Sequence, residues 1–127
     1  MFRSLVLAPF ALVLGLALAR ADAHAAEGSV CPVQCGSCDD GTCRIECAPG
    51  SSCEQETVTC PSGMHCEVAC VGDASCRAAT IVGPSDHDLA IECNGDSACG
   101  DATLQCGTGM CDWACTTTGA CENIAVR

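Results

Sequence analysis

Cys66-Glu-Val-Ala-Cys70-Val-Gly-Asp-Ala-Ser-Cys76 is a stretch that recurs, with small changes, four times along this chain. The middle cysteines of the four copies are Cys47, Cys70, Cys93 and Cys115, so the copies follow one another at 23, 23 and 22 residues. A fixed period of this size is typical of repeat proteins in which each copy stacks on the next. The repeat therefore predicts a stacked architecture for residues 43–127.

Each copy begins with a short segment in which apolar residues or cysteines alternate with polar or small residues. Alternation over five residues predicts a β-strand with one buried face. One inward column is expected to contain Ile45, Val68, Ile91 and Trp113. The outward positions are Arg44, Glu46, Glu67, Ala69, Ala90, Glu92, Asp112 and Ala114.

A second short strand follows in the first three copies, at 57–60, 80–83 and 103–106, with glycine-rich polar turns between the strands. Its inward column is Val58, Ile81, Leu104 and Val126. Two strands and two turns in about 23 residues match one coil of a solenoid. The fold class predicted is therefore all-β, a small disulfide-rich parallel β-solenoid (β-helix-like) of about four coils of 22–23 residues.

The spacing of the cysteines also indicates the shape of the coil. The step from Cys53 to Cys60 is odd, so the two residues cannot face the same way along one straight strand. A bend near residues 54–56 would make the coil three-sided.

A tandem of independent disulfide modules is the alternative fold. The inward columns argue against it, because independent modules need not keep aliphatic residues in register at a fixed spacing.

The N-terminus has the features of an export signal. An uncharged apolar run over residues 5–19 precedes small residues suited to cleavage, and it is short for a membrane span. We expect a signal peptide at 1–25, a cysteine-rich cap at 26–42 and the solenoid at 43–127. An uncleaved anchor is the alternative. All sixteen cysteines follow the signal, which predicts a secreted protein, extracellular or periplasmic, without a membrane span after cleavage.

The charge of the chain restricts its partners. The formal net charge is −11, with five arginines and no lysine. Such a surface repels phosphate backbones and anionic membranes, which argues against nucleic-acid binding. Solubility outside the cell explains the charge, and attraction of a cation or a basic partner is the alternative. The partner expected is an unidentified extracellular protein or glycan.

The repeats indicate which cysteines pair. The positions of Cys60 and Cys66 are both without cysteine in the next coil, and both cysteines return as Cys106 and Cys111, as expected for bonded pairs. The same argument applies to the two cysteines that every copy retains. In the cap we expect Cys38–Cys43 and, by elimination, Cys31–Cys35. The pairs predicted in the repeats are Cys47–Cys53, Cys60–Cys66, Cys70–Cys76, Cys93–Cys99, Cys106–Cys111 and Cys115–Cys121.

Two motifs could bind metal but have simpler explanations. Cys35 and Cys38 have the Cys-x-x-Cys spacing of a zinc or redox site, yet in an exported chain a structural disulfide is favoured. Asp73 and Asp96 occupy the same turn in successive coils, as calcium-binding turn aspartates do in other solenoids. The glycines of those solenoids are missing here, so ordinary turn residues are the preferred interpretation.

A cluster of histidines and aspartates is the remaining metal candidate. Asp86, His87 and Asp88 are consecutive, and the 23-residue period places His65 beside Asp88 in the next coil. Two imidazoles and two carboxylates on one turn face could hold a divalent metal or form a pH-sensitive pair. The alternative is a solvated polar turn. We therefore expect no metal site, with these four residues as weak candidates.

Neither ice binding nor catalysis has a strong motif. Thr57, Thr80 and Thr103 form one outward column, and the architecture is similar to that of beetle antifreeze proteins. Those proteins need two adjacent threonine columns, and here Val82 and Gln105 replace the second. Nucleophile motifs and phosphate-binding glycines are missing from the sequence, so we expect neither an enzyme nor a cofactor.

The pattern in residues 43–121 resembles the cysteine-rich secreted repeat proteins of multicellular bacteria such as myxobacteria. Their repeats have the form Cys-x-Gly-x-x-x-Cys followed by an Ile-x-Cys strand. The resemblance implies an architecture but carries no activity. We expect a non-enzymatic structural or interaction module, extracellular or at the cell surface. The alternative is a ligand-binding solenoid for a divalent cation, a glycan or ice.

Overall fold

The computed structural model describes residues 30–127, and the predicted signal peptide lies outside them. This part of the chain consists of nine β-strands and their connecting turns. It contains no helix long and apolar enough to cross a bilayer. The strands are β1 Ser37–Asp39, β2 Thr42–Cys47, β3 Thr57–Thr59, β4 His65–Val71, β5 Thr80–Val82, β6 Leu89–Asn94, β7 Thr103–Gln105, β8 Cys111–Cys115 and β9 Ala125–Val126.

Two sheets form two sides of each coil. The first sheet has the order β1-β2-β4-β6-β8, and the second has the order β3-β5-β7-β9. Every pairing is parallel except that of β1 with β2, and the parallel partners lie 23 or 22 residues apart. Ile45 pairs with Val68, and Val68 pairs with Ile91. These continuous sheets confirm the predicted β-solenoid and rule out independent modules.

The third side of the coil is a series of stacked turns. The amide of Cys76 donates to the carbonyl of Ala98 in the next coil at 2.6 Å, so the turns are bonded to one another as strands are. Gln55 has a φ of 60°, and Ala78 has a φ of 55° at the same place one coil later. The left-handed backbone conformation of these residues interrupts the extended chain and bends it. It provides the bend predicted near residues 54–56.

The core consists of cysteines and single aliphatic residues stacked along the solenoid. Val68, Ile81 and Leu104 are almost completely buried, because each lies between the same position of the coils above and below. Burial of an aliphatic side chain of this size contributes about 1.5–3 kcal/mol. Few such side chains are present, so disulfides must supply much of the stability, as expected for a small core.

The two inward columns are less buried at their ends than the sequence analysis predicted. Trp113 pairs with Ile91 and Val126 pairs with Leu104, as expected from the period. Nevertheless Trp113 is 44% exposed and Val126 is 48% exposed. Both lie in the last coil, and no further coil covers them within residues 30–127. Ile45, in the first coil, is only partly buried.

All sixteen cysteines are in disulfides. The six bridges predicted in the repeats are confirmed, and each closes a separation of five or six residues around a turn. Their Cα–Cα distances of 5.5–6.0 Å lie in the usual range for disulfides. Every bridge of the repeats therefore lies within one coil, as predicted, and none connects neighbouring coils.

The two bridges of the cap differ from the prediction. The structure contains Cys31–Cys38 and Cys35–Cys43 instead of Cys38–Cys43 and Cys31–Cys35. A turn closed by the hydrogen bond from the Cys35 amide to the Pro32 carbonyl brings Cys35 within 5.4 Å of Cys43, measured between Cα atoms. The prediction was wrong because it applied the short-loop pattern of the repeats to an antiparallel hairpin that does not follow the repeat.

Candidate functional site

The histidine and aspartate candidates lie together at one corner of the solenoid. His65 is the first residue of β4, and Asp86–Asp88 form the turn that leads into β6. Because β4 and β6 are neighbours in the first sheet, the start of one strand lies next to the turn before the other. The structure therefore brings all four candidate residues to one exposed corner.

His65 and Asp88 are in direct contact, as the period predicted. The backbone amide of Asp88 donates to His65 Nδ1 at 3.2 Å, and the Asp88 carboxylate lies 3.5 Å from the same nitrogen. The other oxygen of this carboxylate accepts a hydrogen bond from the Met110 amide at 2.8 Å. Asp88 is thus positioned by its neighbours on both sides along the solenoid.

Asp86 and His87 form a second pair. The Asp86 carboxylate lies 2.7 Å from His87 Nδ1. A carboxylate can only accept, so this nitrogen is the donor. The hydrogen bond holds the pKa of the Asp86 carboxyl below its ordinary value, and a hydrogen bond from the Gly63 backbone acts in the same direction. The side chain of His87 is therefore oriented by a charged partner.

The two histidine rings, which the sequence places on one turn face, are in direct contact with each other. Their centroids are 5.2 Å apart and their planes make an angle of 79°. The 23-residue period places His65 next to Asp88 rather than His87, so only the turn conformation brings the rings together. A search for histidines at separations of 22 as well as 23 residues would have found the pair.

The other metal candidates do not form sites. Within residues 30–127, the groups of three potential ligand atoms that lie within 4.8 Å consist of cysteines, all of them in disulfides. The sulfurs of Cys35 and Cys38 are consequently not available as thiolates. The Asp73 carboxylate accepts a hydrogen bond from the Asp96 amide at 2.9 Å, so it connects one turn to the next. This contact supports the interpretation of Asp73 as a turn residue.

The threonine column has the predicted register but no second column beside it. Thr57 pairs with Thr80, and Thr80 pairs with Thr103. The adjacent outward positions are Thr59, Val82 and Gln105, which pair in the same order. The second sheet therefore presents one ordered row of threonines next to a mixed row, and it lacks the two-column arrangement required for the ice-binding hypothesis.

The outer face of the first sheet, which we call the acidic face, has a regular distribution of charge. One outward column contains Arg44, Glu67, Ala90 and Asp112, and the other contains Glu46, Ala69, Glu92 and Ala114. In the second column each glutamate is followed by an alanine, so acids do not lie directly opposite one another there. Direct opposition of like charges is destabilising. The register thus displays several carboxylates on one flat surface without that cost.

The acidic face also has a groove of about 430 Å³. Its lining contains Ala69 and three glutamates, Glu46, Glu67 and Glu92. The Arg44 guanidinium lies 3.2 Å from the Glu67 carboxylate, which neutralises one of the three acids. Glu46 and Glu92 have no salt bridge within residues 30–127. The groove therefore presents uncompensated negative charge around the small side chain of Ala69.

Comparison of the chain with family models, with curated proteins and with solved structures finds no match. No relative therefore provides a function or a set of site residues. The similarity to cysteine-rich secreted repeat proteins of multicellular bacteria stays a prediction from the sequence pattern. The surfaces that the solenoid displays are therefore the basis on which a function can be assigned.

Proposed function

We propose that this chain is an exported, non-enzymatic structural or interaction module, extracellular or at the cell surface, of the type found among the cysteine-rich secreted repeat proteins of multicellular bacteria. The arrangement of eight disulfides in about one hundred residues supports a role outside the cell, where such bridges persist. A chain stapled in every coil holds its outer surfaces in a constant geometry. This architecture is therefore suited to presenting a surface of fixed geometry to a partner.

The observation that carries the proposal is the acidic face with its groove. The outward side chains of a parallel sheet are held at regular spacings by the backbone, so the carboxylates of Glu46 and Glu92 are presented in a fixed pattern. Ala69 lies between them in the same column and leaves space for a partner to approach. A surface of this kind is complementary to a cationic chain, such as a basic protein segment or an amine-bearing glycan.

Binding of a cationic polymer to the exported, fully oxidised protein tests the proposal. We expect immobilised poly-lysine or a glucosamine polymer to bind the protein, with an affinity that falls as the ionic strength is raised. The double variant Glu46→Gln/Glu92→Gln removes the two uncompensated charges of the groove. It should weaken binding several-fold without a change in the circular dichroism spectrum.

A control variant with the same change in net charge separates a site from general attraction. Asp101→Asn/Glu122→Gln removes two exposed carboxylates from the side formed by the stacked turns. Asn is tolerated at position 101, where φ is 57°, because it adopts left-handed conformations readily. Equal loss of binding in the two double variants would mean that net charge alone attracts the polymer, and the acidic face would then have no special role.

A further inference from the structure

The pair of histidine rings at the corner between β4 and β6 has free nitrogen atoms on both members. His87 Nδ1 donates to Asp86, and His65 Nδ1 accepts from the Asp88 amide. The Nε2 atom of each ring has no hydrogen bond within residues 30–127. Both rings are accessible to solvent, with His65 half-exposed and His87 about one third exposed.

We propose that His65 and His87 form a two-histidine site for a divalent transition-metal ion, Zn²⁺ or Cu²⁺, bound through their Nε2 atoms. Asp86 and Asp88 orient the two rings, and water molecules complete the coordination. The site is independent of the acidic face and of the function proposed for it.

The distance between the rings suits a shared metal ion. Zinc–imidazole bonds are about 2.0–2.1 Å long, and tetrahedral coordination sets the angle between two ligands. Adding the distance from a ring nitrogen to the ring centre, two imidazoles on one zinc ion have centroids roughly 5 Å apart. The centroids of His65 and His87 are 5.2 Å apart. The separation of the two rings is therefore compatible with one ion bound by both Nε2 atoms.

The carboxylates next to the rings form the pattern that accompanies histidine ligands. A histidine that binds metal through one nitrogen usually donates from its other nitrogen to a carboxylate or a carbonyl group. Asp86 already accepts from His87 Nδ1. On the other ring, metal binding would move the proton of neutral His65 from Nε2 to Nδ1, where the Asp88 carboxylate at 3.5 Å can accept it. The number of protons on His65 is unchanged by this tautomer shift.

The chemistry of the ligands determines which ions are accepted. Imidazole favours zinc, copper and nickel, whereas Ca²⁺ and Mg²⁺ require sets of oxygen ligands. A shallow cleft of about 290 Å³, lined in part by His65 and Asp88, lies beside the pair and admits water or an exogenous ligand to the remaining coordination positions. The affinity should follow the usual order, with Cu²⁺ bound more tightly than Zn²⁺.

Calorimetric titration of the untagged, signal-cleaved protein with ZnCl₂ tests the proposal. The exported chain contains only these two histidines, because His24 belongs to the predicted signal peptide. We expect one Zn²⁺ per chain, no heat with CaCl₂, and full reversal by a chelator. In nuclear magnetic resonance spectra, the Hε1 signals of both rings should shift together until one equivalent has been added.

Substitutions distinguish the pair from other surface groups. His65→Asn keeps an acceptor at the position of Nδ1 for the Asp88 amide, so it removes the ligand and spares the turn. His65→Asn and His87→Asn should each reduce the Zn²⁺ affinity at least tenfold, and Asp86→Asn should reduce it about 10- to 100-fold. Asp101→Asn, on the stacked-turn side, is the control and should leave the affinity unchanged.

Three results would overturn the proposal. The first is a wild-type protein that takes up no Zn²⁺, and the second is a His87→Asn variant with undiminished affinity. The third is a shift of only one histidine signal at saturation, which would indicate a single-ligand contact. Disulfide mapping and circular dichroism of each variant establish that it has folded before its affinity is compared.

Discussion

Gly83 and Leu89 occupy the two positions at which the neighbouring coils have bonded cysteines, Cys60–Cys66 on one side and Cys106–Cys111 on the other. A Cβ atom added to Gly83 would lie 3.2 Å from the Cβ of Leu89. The mean separation in disulfides is about 3.8 Å, so a few tenths of an ångström of relaxation would accommodate a bridge. We predict that the variant Gly83→Cys/Leu89→Cys forms this bridge on oxidative folding.

The expected stabilisation follows from the length of the closed loop. A separation of six residues corresponds to about 2 kcal/mol of loop-closure entropy. Leu89 is only 2% exposed, and loss of a buried leucine side chain costs about 2–5 kcal/mol. The bridge should thus offset part of the lost packing, and the free energy of unfolding of the bridged variant should lie within about 3 kcal/mol of that of the natural protein.

The variant Gly83→Ala/Leu89→Ala is the matched control, since it loses the leucine without gaining a bond. Guanidinium denaturation with the disulfides intact gives the free energy of unfolding of both variants. We expect the bridged variant to be more stable than the alanine variant by about 2 kcal/mol. Introduced thiols that still react with a thiol reagent in the folded protein, or unfolding of both variants at the same denaturant concentration, would contradict this prediction.

Three further predictions concern two glycines, Trp113 and the complete set of disulfides. Gly41 has a φ of 76° and open space around it, so Gly41→Ala should cost about 1–2 kcal/mol from the left-handed backbone alone. Gly107→Ala should cost more by the same denaturation assay, because the new methyl group would overlap the Pro84 carbonyl oxygen of the neighbouring coil; equal costs would contradict this. Trp113→Ala should destabilise the protein less than Ile91→Ala, and acrylamide should quench the Trp113 fluorescence efficiently; a shielded indole would be inconsistent with its position in the last coil. With all disulfides reduced, the chain should be unfolded at physiological temperature and should show no cooperative thermal transition. A retained transition would mean that the aliphatic core is sufficient to stabilise the fold.

The repeat in the sequence was sufficient to predict most of the solenoid. A residue and its counterpart 23 positions later, or 22 positions later for the last coil, are neighbours in the two sheets, so strand register and the two inward columns follow from spacing alone. The joint absence of two cysteines from one coil was likewise enough to pair Cys60 with Cys66 and Cys106 with Cys111. Because these features recur at a fixed spacing, they can be predicted from the sequence alone.

Three features depended on the tertiary structure. The cap bridges Cys31–Cys38 and Cys35–Cys43 result from an antiparallel hairpin outside the repeat, where spacing contains no information about neighbours. The exposure of Trp113 results from its position in the last coil, because a residue in an inward column is buried only if a further coil covers it. The contact between the two histidine rings results from a turn conformation that places residues 22 apart, rather than 23, side by side. In each case the deciding factor is a departure from the repeat. The sequence period determines the neighbours within the regular coils, while the ends and the corners are determined by how the chain packs in three dimensions.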